Sequence, residues 1–300
     1  MSPQVYTPGP TLPCFLEPGM IETKLGAIEC SIFGKGPDVL CLHGAMGGYD
    51  QSALLARTIG EGGYRYHCVS RPGYLRTPLA LGKSPDEQAD LYAAMLDALG
   101  IERVGVMAVS GGGYSAIHFA LRHPQRCWGM VLVSTTADKV TTPLPWAYHL
   151  LKILVRMKWF QSMNQRKSET QPEAVARRSV TNPQIFERLL NDQEAWALMK
   201  QLQLSTSDRM NQRFPGTNND VLVTRSCSFP LEAIQIPTLV VHGTADPLVP
   251  YVEHAEVFAK RISGSRLVSL EGGEHAAIFT HRQEARREVC AFLADLAPRT

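Results

Sequence analysis

The sequence lacks the features of a membrane-spanning, secreted or nucleic-acid-binding protein. No apolar run reaches the ~20 residues that span a bilayer. The first ten residues are rich in proline and glycine and contain no basic segment followed by an apolar one. The net charge is only +2, and no basic run alternates with aromatic residues. We therefore expect a cytoplasmic protein that is not an integral membrane protein and has no nucleic-acid partner.

Cysteine is scarce and shows no pairing pattern. The seven cysteines are an odd number, their spacing does not match that of metal ligands, and several lie within apolar strand patterns. These features indicate buried, reduced thiols and neither a disulfide framework nor a metal site. The residues are Cys14, Cys30, Cys41, Cys68, Cys127, Cys227 and Cys290.

An alternation of strand and helix patterns dominates the rest of the chain. With 300 residues, 44% of them hydrophobic, the chain is long enough for one large domain with an insertion. The predicted strands are 20–24, 27–33, 39–42, 66–69, 104–109, 129–133, 238–241 and 266–270. The predicted helices between them are 51–59, 86–99 with Ser84 as N-cap, 114–122, 251–262 and 281–296. The pattern predicts an α/β fold, with helices on both faces of a mostly parallel eight-stranded sheet.

Residues 106–114 are the most informative segment. A strand pattern runs directly into a helical pattern with Ser110 at the junction, and the small residues Ala108 and Gly112 lie two positions before and after it. A sharp strand-to-helix turn strains its central residue and requires small neighbours. The segment therefore predicts a nucleophile elbow in which Ala108 replaces the usual glycine. The alternative is a glycine-rich turn without chemistry.

Three other strand patterns end in residues that a serine nucleophile needs. The strand at 39–42 precedes a glycine-rich loop at 43–48, the strand at 238–241 precedes Asp246, and the strand at 266–270 precedes His275. Parallel strands bring such groups together at their carboxyl ends. A serine hydroxyl needs a base with a pKa near the working pH, which histidine provides, and a carboxylate can orient the imidazole.

With these landmarks in the order serine, acid and histidine, the sequence resembles the α/β-hydrolase fold superfamily over most of its length. The resemblance implies Ser110 as nucleophile, His275 as general base and acid, and Asp246 as the residue that orients the imidazole. It also implies an oxyanion hole formed by the amides of Ala45 and Gly111, no cofactor and no metal. The first two strands should form an antiparallel edge. His43 is then a structural residue of its loop.

Several assignments have alternatives. Asp246 could serve only as a turn or helix cap. Asp138, after the sixth predicted strand, is the alternative acid. The segment 70–74 resembles the family's Asp-x-Pro-Gly-x-Gly loop, with Ser70 at the aspartate position. We expect Glu274, next to His275, to face solvent.

The alternation breaks over 139–235, where the sequence is helical. We predict a cap inserted into a core formed by residues 1–138 and 236–300, with an extended arm over 1–18. Helices are predicted at 146–160, 172–180, 183–191 and 193–204. The insertion holds 13 basic and 8 acidic residues, most simply explained by solvated helix faces. A membrane-surface role for the apolar helix with Lys152, Arg156 and Lys158 is the alternative.

Aromatic and sulfur-containing side chains are the candidates for lining a substrate pocket. The substrate-binding candidates are Met46, Trp146, Trp159 and Phe160, and Tyr148, Phe186, Trp196 and Phe214 are further aromatic candidates. An aromatic residue in a helical stripe more often belongs to a core, so the sequence does not select among them.

The expected activity is hydrolysis of a carboxylic ester in a small to medium, largely apolar substrate, through an acyl-enzyme. Serine at position 110 argues against dehalogenases and epoxide hydrolases, which use a carboxylate nucleophile. Amide or carbamate hydrolysis, carbon–carbon bond hydrolysis and cofactor-free perhydrolysis use the same triad and remain open. A noncatalytic ligand-binding protein is the alternative from another class. The oligomeric state is not predicted.

Overall fold

An eight-stranded sheet forms the centre of the protein. The computed structural model describes residues 17–141, 143, 144 and 146–298. The strands are β1 (Gly19–Ile21), β2 (Ile28–Gly34), β3 (Asp38–Leu42), β4 (Arg65–Val69), β5 (Val104–Val109), β6 (Cys127–Val133), β7 (Thr238–Gly243) and β8 (Arg266–Leu270). Their spatial order is β1-β2-β4-β3-β5-β6-β7-β8. β2 pairs antiparallel with both β1 and β4, and all other neighbouring strands pair in parallel, which agrees with the predicted fold class.

Helices cover both faces of this sheet. The core helices are α1 (Tyr49–Ile59), α2 (Pro85–Ala98) and α3 (Gly113–Arg122). α2 begins with a capping box between Ser84 and Glu87, which satisfies two backbone amides at its start. α2 and α3 pack against one face of the sheet, and α1 packs against the other. β5 and β6 are buried almost throughout, as expected for parallel strands between two helical layers.

Among the described residues, six α-helices lie between β6 and β7. They are α4 (Trp146–Leu154), α5 (Lys158–Thr170), α6 (Pro172–Ala176), α7 (Pro183–Asn191), α8 (Gln193–Ser207) and α9 (Met210–Ser226). We call the segment 139–235 the insertion. After β7 the chain forms α10 (Tyr251–Arg261), β8, α11 (Ala277–Thr280) and α12 (Arg282–Leu296). Within the insertion, α8 contacts α1 of the core.

The structure corrects two helix predictions in the insertion. The single helix predicted over 146–160 is wrong, because α4 ends at Leu154 and α5 begins at Lys158. α9 was not predicted, because Pro215 lies inside it and Gly216 follows, two residues that disfavour helix. Both residues lie where α9 is tied to the core: the amide of Gly216 donates to the carbonyl of Gly73 at 2.8 Å, and the amide of Leu75 donates to Gln212 at 2.9 Å.

Four cysteines, Cys30, Cys41, Cys68 and Cys127, are buried free thiols, and Cys227 and Cys290 are half-buried. Burial raises the pKa of Cys127 to about 12, so that its thiol is not reactive at neutral pH. Cys14 and most of the predicted arm lie outside the described residues. Over the described ranges, no helix has the length and apolar character required to cross a membrane.

Candidate active site

Ser110 lies at the strained turn between β5 and α3. Its φ angle is +50°, in the left-handed region that non-glycine residues rarely adopt. The turn requires a small residue at position 112, because a Cβ on Gly112 would lie 2.6 Å from the carbonyl oxygen of Leu42. The hydroxyl of Thr135 donates to the carbonyl of Ser110 at 2.6 Å and fixes the turn from the neighbouring strand. These contacts show the geometry of a nucleophile elbow.

The structure brings Ser110, His275 and Asp246 together. His275 Nε2 lies 3.1 Å from Ser110 Oγ, and His275 Nδ1 lies 2.8 Å from Asp246 Oδ2. The carboxylate therefore favours the imidazole tautomer with its proton on Nδ1, which leaves Nε2 free to accept the serine proton. Asp138, the alternative acid, is exposed and accepts the amide of Lys139. Of the two carboxylates, it is Asp246 that contacts the imidazole.

Asp246 is held ionised by several donors. Its Oδ1 accepts the amides of Leu248 and Val249 at 2.9 and 3.0 Å. His242 Nε2 lies 3.5 Å from Oδ2 and donates mainly to the carbonyl of Val249 at 2.8 Å. Burial opposes ionisation of Asp246, but the hydrogen bonds from His242, His275 and Val249 outweigh it and hold the pKa of this carboxyl well below its usual range. The Asp246 side chain therefore both accepts the amides of the following turn and contacts His275.

Two backbone amides converge beside Ser110. A Cβ on Gly111 would lie 3.5 Å from the amide nitrogen of Ala45, and a Cβ on Gly44 would lie 3.1 Å from Ser110 Cβ. The amide of Met46, next in the loop, donates instead to Thr217 Oγ1 at 2.8 Å. The amide of Ala45 therefore lies beside the turn that carries Ser110 and Gly111, where the predicted oxyanion hole requires it.

His43 stabilises the loop that carries Ala45. It is fully buried, its Nδ1 lies 2.7 Å from the carbonyl of Gly44, and its Nε2 accepts the amide of Arg71 at 3.0 Å. These partners assign the proton to Nδ1. Burial and the nearby Arg71 lower the pKa of His43 well below 6.5, so the ring is neutral and both bonds persist at neutral pH.

A buried ion pair that the sequence analysis missed joins the insertion to this loop. Arg71 follows β4 and is fully buried, and Asp220 lies on α9. The Arg71 guanidinium donates to both oxygens of Asp220, to the carbonyl of His43 at 2.8 Å and to the hydroxyl of Tyr114 at 2.8 Å. The hydroxyl of Tyr74 donates to Asp220 at 2.5 Å. Asp220 also packs against the turn at 110–112, since a Cβ on Gly111 would lie 2.8 Å from its Oδ2.

A second buried pair has the opposite polarity. Asp50, at the start of α1, accepts two bonds from Arg213 of α9 at 3.0 and 2.6 Å and one from Ser205 at 2.8 Å. Burial opposes ionisation of Asp50, but Arg213 and Ser205 lower its pKa. Arg213, Thr217 and Asp220 share one side of α9 because they are spaced i, i+4 and i+7. That spacing is the only sequence signal that could have revealed these contacts, and it lies in a segment not predicted to be helical.

Glu274 is buried, so the expectation that it faces solvent is wrong. Its Oε1 accepts the amides of Thr181 and Asn182 at 2.6 and 3.1 Å, just before α7. Because Glu274 precedes His275, this carboxylate connects the loop of the imidazole to the insertion.

The pocket-lining candidates separate into two groups. Met46 and Phe160 pack with Val155, Met210 and Phe214 on the inner side of the insertion. Tyr148 packs in the same group, whereas Phe186 belongs to the core of the sheet face that α1 covers, with Trp196 partly buried against it. The structure does not support Trp146 and Trp159 as pocket residues, because their side chains are 78% and 59% exposed.

A cavity of about 230 Å³ lies between α5, α6 and α8. Met210 and Gln203 line it, and Ala276 extends it to the residue next to His275. Lys167 and Arg178 are also at its edge. Its volume is below the ~300–1,000 Å³ of typical ligand pockets, so it has room for a small ligand or for part of a larger one.

Comparison with known proteins places the fold in a family. The family model for the alpha/beta hydrolase fold matches residues 37–282. The chain belongs to the alpha/beta hydrolase fold family. A solved alpha/beta hydrolase fold protein from Nakamurella multipartita has a TM-score of 0.83 at 32% identity, over 92% of this chain and 98% of that one.

Two curated relatives are named as hydrolases. An uncharacterized hydrolase of Bacillus subtilis, YcgS, is 32% identical over 83% of this chain and 88% of its own length. A 2-hydroxy-6-oxo-6-phenylhexa-2,4-dienoate hydrolase of Comamonas testosteroni is 27% identical over 87% of this chain and 88% of its own length. With the family match, they confirm the predicted hydrolase class for this enzyme.

Proposed function

We propose that the protein is a serine hydrolase that cleaves a carboxylic ester of a small to medium, largely apolar substrate through an acyl-enzyme. The observation that carries this proposal is the continuous hydrogen-bonded path from Ser110 through His275 to Asp246, with the serine at a strained turn. An alkoxide is a better leaving group than an amide anion or a carbanion, so an ester requires less of this apparatus than an amide or a carbon–carbon bond does.

The proposed reaction follows from the geometry. His275 Nε2 takes the proton of Ser110 as its oxygen attacks the ester carbonyl, and the amides of Ala45 and Gly111 stabilise the oxyanion. The imidazolium then protonates the leaving alcohol, and Asp246 stabilises the imidazolium throughout. Water, activated by the same imidazole, hydrolyses the acyl-enzyme. In this proposal the insertion acts as a cap, and the cavity beside Ala276 holds part of the substrate.

One observation favours a second candidate, hydrolysis of a carbon–carbon bond. The dienoate in the name of the Comamonas relative contains a ketone and a carboxylate but no ester, so its hydrolysis breaks a carbon–carbon bond. Lys167 and Arg178 at the cavity edge are cations that could attract such a carboxylate.

The test is a series of chromogenic short-chain acyl esters, assayed with the wild type and Ser110→Ala, together with labelling by a fluorophosphonate and mass spectrometry. We expect serine-dependent turnover, a single adduct on Ser110, and an activity loss of about 10⁴-fold to 10⁶-fold in Ser110→Ala. Asp138→Asn is the control and should retain activity. Turnover of the phenylhexadienoate but not of the esters would favour the second candidate. Full ester turnover by Ser110→Ala would overturn the mechanism.

A further inference from the structure

The outer surface of α4 and α5 exposes a group of large apolar side chains. Single exposed apolar residues are common on proteins, but six large ones within residues 146–163 are enough to suggest a binding surface. Six residues, which we call the outer face, are Trp146 (78% exposed), Leu150 (44%), Ile153 (56%), Met157 (41%), Trp159 (59%) and Met163 (51%). Two of the protein's four tryptophans are among them.

The outer face is not simply a part of the core that is incompletely covered. At 100° per residue, positions 146, 150 and 153 lie on one side of α4, and positions 148 and 151 lie on the opposite side. Val155 is buried against Met210 and Phe214, and Tyr148 and Leu151 pack against the same group. α4 therefore has two apolar sides, of which the inner one is already packed against the protein.

The charge of this segment is strongly one-sided. Residues 139–168 contain six lysines and arginines and neither aspartate nor glutamate, whereas residues 169–235 contain seven basic and eight acidic residues. Arg156 and Lys158 are exposed between the two helices. The ammonium group of Lys152 lies 5.0 Å from the ring centre of Tyr148. Arg156 and Lys158 therefore lie next to the outer face, whereas Lys152 lies on the Tyr148 side of α4 and Lys167 lines the cavity.

We infer that the outer face docks on an anionic lipid surface. Tryptophan side chains favour the headgroup level of a bilayer, and an amphipathic helix flanked by lysine and arginine binds anionic lipid in the plane of the interface. A second copy of the chain fits less well. A two-fold contact would place the same face against itself and bring the two sets of cations together without acidic partners from this segment.

The position of the outer face relates it to the site. The inner side of α4 packs in the same group as Met46, which follows Ala45 in the loop beside Ser110. Docking would place the lipid surface on the opposite side of this one helix. The binding itself involves none of the residues that form the Ser110 site, so it does not depend on the proposed function.

Sedimentation with lipid vesicles tests the inference. The full chain is mixed with vesicles of phosphatidylcholine, with or without phosphatidylglycerol, and the bound fraction and the tryptophan emission are measured. We expect binding and a blue shift only with the anionic vesicles, and weaker binding at higher salt. The measurements are repeated with Ser110→Ala, so that a failure of the hydrolase proposal would leave this result interpretable.

Matched variants distinguish vesicle binding through the outer face from nonspecific binding by the rest of the protein. Trp146→Ala with Trp159→Ala should reduce vesicle affinity at least tenfold, and Arg156→Gln and Lys158→Gln should each reduce it roughly fivefold. Controls are Leu25→Ala and Lys260→Gln, which change exposed residues outside the insertion and should bind as the wild type does. No binding to anionic vesicles, or equal binding by all variants, would overturn the inference. So would a dimer in solution that the double tryptophan variant abolishes, or binding to polyglutamate without binding to vesicles.

Discussion

Replacing Asp220 by alanine should destabilise the protein far more than loss of an ordinary ion pair. Arg71 is fully buried and Asp220 is 4% exposed, so water does not replace a missing partner. Without the carboxylate, the guanidinium keeps only neutral acceptors, such as the carbonyl of His43, and the hydroxyls of Tyr74 and Tyr114 lose their acceptor. Breaking one side of a buried pair costs about 3–5 kcal/mol. That is a large part of the ~5–15 kcal/mol by which typical proteins are stable.

The assay is urea unfolding followed by far-ultraviolet circular dichroism. The control is an exposed pair of similar geometry, in which Arg122 donates to Asp90 at 3.0 and 2.7 Å with side chains 40% and 38% exposed. Asp90→Ala should cost about 0.2–1 kcal/mol, because solvent and salt screen this pair. Asp90 also lies 2.8 Å from His123 Nε2, so each carboxylate has partners besides its arginine, and the main difference between the two sites is burial.

A double variant tests the reasoning further. Arg71→Met with Asp220→Leu removes both charges, and it should be less destabilised than Asp220→Ala because no unpaired charge remains in the interior. The reasoning is refuted if Asp220→Ala costs no more than Asp90→Ala. It is also refuted if the double variant loses as much stability as Arg71→Met and Asp220→Leu lose in sum when each is made alone.

Three further predictions concern the site. Gly111→Ala should lower kcat about 10²–10³-fold, as for loss of an oxyanion donor, because its Cβ would lie 2.8 Å from Asp220 Oδ2; Gly62→Ala, with no atom within 4 Å of the new Cβ, should leave kcat unchanged. Asp246→Asn should lower kcat about 10⁴-fold in a steady-state assay. The pKa of Asp246 is lower in the folded than in the unfolded protein, so its carboxylate stabilises the fold. In urea unfolding, the difference in unfolding free energy between the wild type and Asp246→Asn should be constant above about pH 4 and should shrink as the pH falls further. Glu274→Ala should cost about 1.5–3 kcal/mol in the same unfolding assay, by removing the charged acceptor of two insertion amides.

The sheet and the strand-end residues could be predicted because each depends on a local pattern. β5 and β8 have the predicted boundaries, and Ser110, Asp246 and His275 each follow a strand with a mainly apolar sequence. The insertion was less predictable. Its helices depend on contacts with distant segments, as in α9, where bonds to the loop at 73–75 use backbone groups beside Pro215. The burial of Glu274 was not predicted, because nothing in the sequence around it shows that the insertion packs over it and donates two amides to it.

The two buried ion pairs explain how a mostly polar helix has a defined position beside the site. α9 directs Arg213, Thr217 and Asp220 toward the core. An apolar stripe in their place would let the helix shift along its axis, because apolar contacts are not directional. α9 supplies the acid of one pair and the base of the other. Turning α9 end for end would therefore set Arg213 against Arg71 and Asp220 against Asp50. Buried charges stabilise a fold less than apolar packing of the same volume but select one arrangement over others. In this protein the selected arrangement holds Thr217 Oγ1 on the amide of Met46 and so ties α9 to the loop that carries Ala45, whose amide belongs to the proposed oxyanion hole.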